Sequence, residues 1–579
     1  MENMINLKIN NKEVSVPNGT TILEAAKKVN IHIPTLCHLD LHDLGFVNEE
    51  ANCRICMVEN GKKMVPACNT LVKEGMDIKT NSIKAINFRK MNLELLLSNH
   101  PKDCLVCNKN GRCELQSLAA ALNVREIKYD GERMTFPTDN SSYSIIRDPD
   151  KCILCKRCTT MCNNVQTVGT LTDVGRGFNT VVTTAMHRPM IDTNCTFCGQ
   201  CLAVCPTGAI SEVSNISQVY KALMDETKTV VVQTAPAVRV ALGEEFYMEE
   251  GTIVTGKMVA SLKQMGFDYV FDTNFAADLT IMEEATEFVE RFKTKKNLPI
   301  LTSCCPSWVK FIEHKFNNLL DIPSTCKSPH EMFGSITKSY FAKKMNLDPK
   351  DIVVVSIMPC VAKKYEANRK ELSSTGYADV DYVVTTRELA TMIKDMNIDF
   401  KNIEDAEFDD PLGESTGAAV IFGASGGVLE ATLRTAYNMI TGEDLKNVEF
   451  HDLEGIKGIK EAVVNIQGTD VKVAAANGLG NARKLLEMAS EDRSRFDVIE
   501  IMACPGGCVG GGGQPFLRGR SDKLIKRMNA IREEDRNKPL RKSYENESIK
   551  KLYKEFLGEP GSSKAHELLH TSYIERIDK

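Results

Sequence analysis

KNLPILTSCCPSW, residues 296–308, ends a short apolar run in two adjacent cysteines. LPIL reads as a buried strand, and WVKFIEHKF after it has a helical period. Adjacent cysteines rarely point the same way, so Cys304 and Cys305 would not readily ligate one iron together. The pair therefore raises the prospect of two thiols with different tasks.

From about Lys228 onward, strand-like runs alternate with helical ones: TVVVQT followed by a long helix, then LPIL, DIVVVSIM and DVIEIM. Continuous apolar strands with helical crossovers indicate α/β sheets buried on both faces. Cys304 and Cys305 follow the end of one strand, Cys360 a second, and Cys504 and Cys508 a third. Ligands of open α/β sheets sit beyond the carboxyl ends of the strands. Segments far apart in sequence can thus converge on one metal site.

A chain of 579 residues is too long for one core. Its net charge of −5 argues against nucleic acid or an anionic membrane as the main partner. No run is long and apolar enough to span a bilayer, GAAVIFGASGGVLEA being the nearest. MENMINLKIN lacks the marks of an export signal, so a cytoplasmic protein is expected. In such a compartment 21 cysteines point to metal rather than disulfides.

INLKIN and VSV alternate around an Asn-Asn turn, and TTILEAAKKVN is a helix opened by a Thr21–Glu24 capping box. Beyond it stand Cys37, Cys53, Cys56 and Cys68, a spacing that suits a plant-type 2Fe–2S cluster better than zinc knuckles. The helical INFRKMNLELLLSN leads to His100, Cys104, Cys107 and Cys113. One imidazole and three thiolates could hold zinc or a 4Fe–4S cluster; spacing leaves both open, and context favours iron–sulfur. That context is CILCKRCTTMC and CTFCGQCLAVCPTGAI, a repeat of the bacterial two-cluster ferredoxin type whose fourth cysteines cross over. Cys152, Cys155, Cys158 and Cys205 are expected on one 4Fe–4S centre, and Cys195, Cys198, Cys201 and Cys162 on the other. Four clusters in series form a one-electron relay.

TSCCPSW, MPCVAKKYE (358–366) and EIMACPGGCVGGGGQP (500–515) resemble, in order, the three signature motifs of the FeFe-hydrogenases. The upstream relay resembles that of the family's larger members. The resemblance implies reversible oxidation of H2 to protons and electrons at an H-cluster, a 4Fe–4S cubane joined to a diiron unit bearing CO, cyanide and azadithiolate. It implies that Cys305, Cys360 and Cys504 hold the cubane and that Cys508 bridges it to the diiron unit. Cys304 is then the proton donor and acceptor, and Lys363 donates to a cyanide. Ala235, Pro236, Pro329, Met358 and Met502 line an apolar pocket. The fold implied is multidomain α+β and α/β. It comprises a β-grasp 2Fe–2S domain (1–82), a His/Cys3 4Fe–4S domain (83–140) and a two-cluster ferredoxin-like domain (141–215). A two-lobed H-cluster domain (216–520) and a small-subunit-like helical tail (521–579) complete it. One departure is His330, where some relatives have glutamine.

In LTIMEEATEFVERF a helical period sets Glu284, Glu287 and Arg291 on one flank, which by itself reads as a solvated edge. The resemblance instead implies a proton path through Glu284, Ser324 and Glu287, with Arg291 as outer gate. Cys326 has no such match and reads as a buried structural thiol. HELLH (566–570) fits a zinc-peptidase pattern, but no third ligand is evident and few residues follow. Neither NGLGNARK nor IFGASGGV makes a credible nucleotide loop. LLLSNHPKDCLVCNKNGRCELQSLA resembles the large iron–sulfur subunit of respiratory complex I and hydrogenase subunits of NAD(P)-linked complexes. The expected partners are therefore flavin/NAD(P)-binding and small iron–sulfur subunits, as in NAD(P)-linked or electron-bifurcating complexes, besides ferredoxin. Alternatives are a stand-alone ferredoxin-linked enzyme and, more remotely, an iron–sulfur assembly protein.

Overall fold

The computed structural model describes residues 3–41, 44–48, 51–445, 451–452 and 457–576. Strands Met4–Ile9 and Lys12–Pro17 pair antiparallel across Asn10 and Asn11, both at positive φ. Asparagine visits that region more readily than most residues. The hairpin joins Asp77–Lys79, Met57–Asn60 and Lys63–Pro66 in one five-stranded sheet. Helix Ile22–Lys28 packs on it and opens with the reciprocal Thr21–Glu24 capping box read from the sequence. Helix Ile83–Ser98 then carries the chain towards His100, and Arg89 Nε ties it back by donating to Met57 O at 2.9 Å.

In the two-cluster region, short helices Arg157–Thr160 and Gln200–Val204 each lie within one cysteine string. Strands Ile145–Arg147 and Ile210–Glu212 close the region antiparallel. Arg157 staples three segments together, donating to His38 O and to Glu114, each at 3.0 Å.

Beyond residue 228 there are two sheets. One is wholly parallel, in the order Tyr269–Asp272, Thr229–Thr234, Ile352–Met358, Tyr382–Thr385. Its valines and isoleucines are covered on both faces, each buried side chain contributing about 1.5–3 kcal/mol. The other is mixed. Ile300–Leu301, Val498–Met502 and Thr469–Asn477 run parallel, but Ile459–Ile466 and His451–Asp452 add antiparallel. The α/β sheets expected here are thus one parallel and one mixed, the antiparallel hairpin of the second turning at Gln467 and Gly468, both at positive φ.

The long helix expected directly after TVVVQT does not form there. Pro236 holds Ala235 out of the helical region, and the chain turns through Ala235–Ala241 with Ala235 N donating to Ile357 O. Helix Thr255–Gln264 comes later, and the 22-residue helix is Thr273–Thr294. No helix of the described residues is long and apolar enough to cross a membrane.

Candidate active site and metal centres

The strand ends of the two sheets face one cavity. It is lined by Cys304, Cys305, Cys360, Cys504 and Cys508, by Lys363, and by Ala235, Pro236, Pro329, Met358 and Met502. Each arrives by a local rule. Cys304 and Cys305 fill the link between Ile300–Leu301 and helix Pro306–Lys315, whose first turn accommodates proline because that N–H would be unbonded anyway. Cys360 follows Ile352–Met358, and Cys504 follows Val498–Met502. Gly507 has φ 96°, open to glycine, and its missing Cβ leaves room for Ser425 N and Met502.

Burial pushes the thiols of Cys305 and Cys504 up, and those of Cys360 and Cys508 to about 12. Four soft donors, Cys504 buried and the other three half-buried, around an apolar cavity suit a metal cluster far better than four free thiols. Lys363 Nζ reaches into the same space, donating to Glu366 Oε2 at 2.6 Å and to Cys304 O at 3.1 Å. Glu366 also bonds His330 Nε2 at 2.7 Å. Burial and Lys363 oppose a charge on His330, yet the carboxylates of Glu331 and Glu366 outweigh them and hold it above its usual range. The sequence reading missed Glu366, three residues beyond Lys363 on helix Ala362–Glu366, although an i, i+3 pair was legible there.

Cys304 faces Met502 and Phe422 as well as the cavity, and burial raises its thiol well above the ordinary range. Behind it lies Glu284. Burial, with the like charges of Glu287 and Glu500, pushes the Glu284 carboxyl up to about 8. Glu500 was also missed: within the apolar DVIEIM it is fully buried, accepting from Gly426 N at 2.6 Å and Leu429 N at 2.9 Å. Ser324 Oγ donates to Glu287 Oε2 at 2.7 Å, and Arg291 Nη2 to Glu287 Oε1 at 2.6 Å. Cys326 is buried beside this carboxylate, its Sγ 3.9 Å from Oε2.

The upstream cysteines also gather. Cys152, Cys155, Cys158 and Cys205 wall one cavity. Burial raises the thiol of Cys201 well above its ordinary range, and Cys198, Cys195, Cys162 and Cys205 add to the rise, so the second set lies close together, with Cys205 near it. Cys56 and Cys68 lie 3.3 Å apart, while Cys37 and Cys53 interact directly. The buried Nδ1 of His100 has no hydrogen-bond partner, as a nitrogen reserved for a metal would have none. Cys113 is influenced by Cys107, and Cys104 is exposed at the edge of this group. The HELLH histidines stand apart as a pair whose inner member is bonded to Thr325 and Glu283 rather than held free for zinc.

Comparison with known proteins gives family matches along the chain. The family profile described as the iron only hydrogenase large subunit, C-terminal domain, matches residues 228–512, and the iron hydrogenase small subunit matches 521–576. A 2Fe-2S cluster binding domain matches 2–82, the NADH-ubiquinone oxidoreductase-G iron-sulfur binding region 89–128, and a 4Fe-4S dicluster domain 151–209. The NADP-reducing hydrogenase subunit HndD of Solidesulfovibrio fructosivorans is 54% identical over 99% of both chains. Iron hydrogenase 1 of Clostridium pasteurianum is 40% identical over 98% of this chain and 99% of its own. An apo FeFe-hydrogenase from Chlamydomonas reinhardtii superposes with a TM-score of 0.57 at 40% identity, covering 63% of this chain and 99% of that one. Iron–sulfur domains of 2Fe–2S and 4Fe–4S type thus precede an H-cluster domain, and the chain belongs to the FeFe-hydrogenases and is an enzyme of that family.

Proposed function

We propose that this chain is the hydrogen-converting subunit of an NAD(P)-linked complex in the cytoplasm, interconverting H2 with two protons and two electrons. The observation that carries the reading is the single cavity where Cys304, Cys305, Cys360, Cys504, Cys508 and Lys363 meet. When bound, the H-cluster supplies the iron at which the H–H bond is made or broken. Cys305, Cys360 and Cys504 would hold its cubane, and Cys508 would join cubane to diiron unit. Lys363, its ammonium fixed by Glu366, would offer a cyanide a charge-assisted hydrogen bond. Ala235, Pro236, Pro329, Met358 and Met502 keep water from the reacting centre.

With the H-cluster bound, Cys304 would be the thiol that passes protons to and from it, and Glu284, Ser324 and Glu287 would carry them between Cys304 and the surface, with Arg291 holding Glu287. The two-cluster region and then the His100 and Cys37 sets would hold the iron–sulfur clusters that pass electrons outward one at a time. The chain brings no credible nucleotide loop of its own, and nicotinamide takes a hydride. A flavin on another subunit must therefore pair the electrons. The name of the Solidesulfovibrio relative, a subunit of an NADP-reducing hydrogenase, and the match to the NADH-ubiquinone oxidoreductase-G region support that arrangement.

Anaerobic affinity purification tests it. The expected result is co-purification of a flavin subunit, with H2-dependent reduction of NAD(P)+ in the complex and of viologen dyes alone in the isolated chain. NAD(P)+ reduction by the flavin-free chain overturns the proposed wiring. Purification without a flavin subunit, with ferredoxin as the sole physiological acceptor, supports the stand-alone reading. Cytosolic Fe-S cluster assembly factor narfl of Xenopus tropicalis is 32% identical over 66% of this chain, so infrared CO and cyanide bands are the check against an assembly role.

A further inference from the structure

Glu287 is surrounded by donors. Arg291 Nη2, Thr325 N and Thr325 Oγ1 point to its Oε1, and Ser324 Oγ, Thr325 N and the Cys326 thiol to its Oε2. Of these, a backbone N–H cannot accept a proton, and a guanidinium does not release one in proteins. Arg291 can orient Glu287 but cannot carry protons away from it. A hydroxyl can do both, accepting a proton on oxygen while passing on its own. Two hydroxyls touch Glu287. Ser324 belongs to the inward path proposed above, and Thr325 leads elsewhere.

Thr325 Oγ1 lies 2.7 Å from His570 Nδ1. The imidazole is held on its far side by Glu283, whose Oε2 is 3.1 Å from Nε2. Glu283 is itself fixed by Tyr553 Oη at 2.5 Å and Gly561 N at 2.9 Å, both from the C-terminal tail. The tail is clamped in register: Lys327 N donates to Leu569 O, and Thr571 N to Thr325 O, each at 2.8 Å. Against the His570 ring lies that of His566, centroids 4.1 Å apart. His570 keeps only 6% of its side chain exposed, whereas His566 is exposed. These are the two histidines of HELLH. The groups facing His570 are thus Thr325, Glu283 and His566, with Glu287, Arg291, Cys326 and Tyr553 one step away.

We propose that the tail's histidine pair forms a second proton exit from Glu287, branching at Thr325. The inference rests on the reading of Glu287 as part of the proton path. In the outward direction Glu287 gives its proton to Thr325 Oγ1 as Thr325 gives its own to His570 Nδ1. Thr325 is left unchanged, Glu287 becomes a carboxylate and His570 an imidazolium facing the Glu283 carboxylate. His570 returns to neutrality when its Nε2 proton leaves Glu283 for water at the exposed edge beside His566, and proton exchange with that water, losing the Nδ1 proton and regaining one at Nε2, resets the ring for the next transfer. Uptake runs the same steps in reverse. The branch acts on turnover through Glu287 and touches neither H2 nor the cluster.

The test compares Glu287→Gln, His570→Gln and Thr325→Val in fully matured enzyme whose CO and cyanide infrared bands match the parent. His570→Gln and Thr325→Val should each slow dye-linked turnover by up to about tenfold. Both should raise the solvent deuterium isotope effect, and the double variant should be no slower than either single one, since both lie on one branch. His570→Gly should regain rate with added imidazole, which a purely structural histidine would not allow. Parent rates and isotope effects in both His570→Gln and Thr325→Val, with Glu287→Gln slow, overturn the branch and leave the main path standing. Additive losses without imidazole rescue overturn it too, assigning the tail a structural role. A normal rate in Glu287→Gln overturns the path and the branch together.

Discussion

Gly199 and Gly512 meet backbone to backbone. A Cβ built on Gly512 would lie 2.8 Å from Gly199 Cα and 2.9 Å from Cys198 O, and one on Gly199 3.1 Å from Gly512 Cα. Gln200 Nε2 locks the contact by donating to Gly510 O at 3.1 Å. One glycine sits inside the CTFCGQC string and the other follows Cys508, so the paired absence of side chains brings two proposed cluster sites together. Electron tunnelling falls steeply with distance, which gives the contact a functional consequence.

Gly512→Ala should therefore slow electron delivery without removing iron. The expected outcome is lower dye-linked turnover, weaker magnetic coupling between the two adjacent clusters by EPR, and an overpacking cost of about 1–3 kcal/mol. Unchanged coupling and turnover would show that the loops shift without moving the clusters.

Much of this site is legible in sequence because its signals are local. The Asn10–Asn11 turn, the Thr21–Glu24 capping box and the cysteine strings each lie within a dozen residues. The convergence of Cys304, Cys360 and Cys504 follows from a topological rule about strand ends. Glu500 escaped notice because an apolar strand pattern conceals one inward carboxylate bonded to a helix N-terminus. HELLH drew notice only as a zinc pattern, and the role proposed for His570 escaped because its partners Thr325 and Glu283 are 245 and 287 residues away, beyond any periodicity. The Ile459–Asn477 hairpin was missed because part of it is the plain apolar run VAAAN, which lacks a clear alternation.

Cys304 and Cys305 should separate cleanly by mutation. Cys304→Ala leaves the proposed cubane ligands in place, so iron content and the CO and cyanide bands should persist while turnover falls by about 100-fold or more. Cys305→Ala should lose the cubane and, with it, those bands. Substantial activity in Cys304→Ala would remove the thiol from the proton path.

The pH dependence follows from Glu284. With its carboxyl pushed up to about 8, the acid form that can donate inward is present below that pH and lost above it. Hydrogen evolution should accordingly decline above about pH 8. Glu500 contributes one of the like charges that raise Glu284, so Glu500→Gln should move this decline to lower pH. Glu284→Gln should abolish the limb along with most of the rate, because an amide does not relay a proton by changing charge. A limb unmoved in Glu500→Gln would place its origin in another group.

The last prediction concerns His100. Its buried Nδ1 lacks a partner although desolvation holds the imidazole below its usual pKa, so the ring rests neutral and able to donate a lone pair. If the nitrogen belongs to a 4Fe–4S cluster with Cys104, Cys107 and Cys113, the matured chain should carry about 20 iron atoms. His100→Ala, which removes a ligand and leaves the three thiols, should lower that count by up to about four or shift the cluster's potential and EPR signature. The site lies at the surface, with Cys104 exposed beside Leu105 and Val106, themselves 91% and 80% exposed. The change should thus fall on exchange with an external partner more than on hydrogen chemistry with a dye that reaches the other clusters. Iron near 16 with one zinc in the parent protein would instead make this a structural zinc site. The relay would then run from the Cys37 set directly to the two-cluster region, across the contact where Asn48 Nδ2 donates to both Cys37 O and Cys155 O.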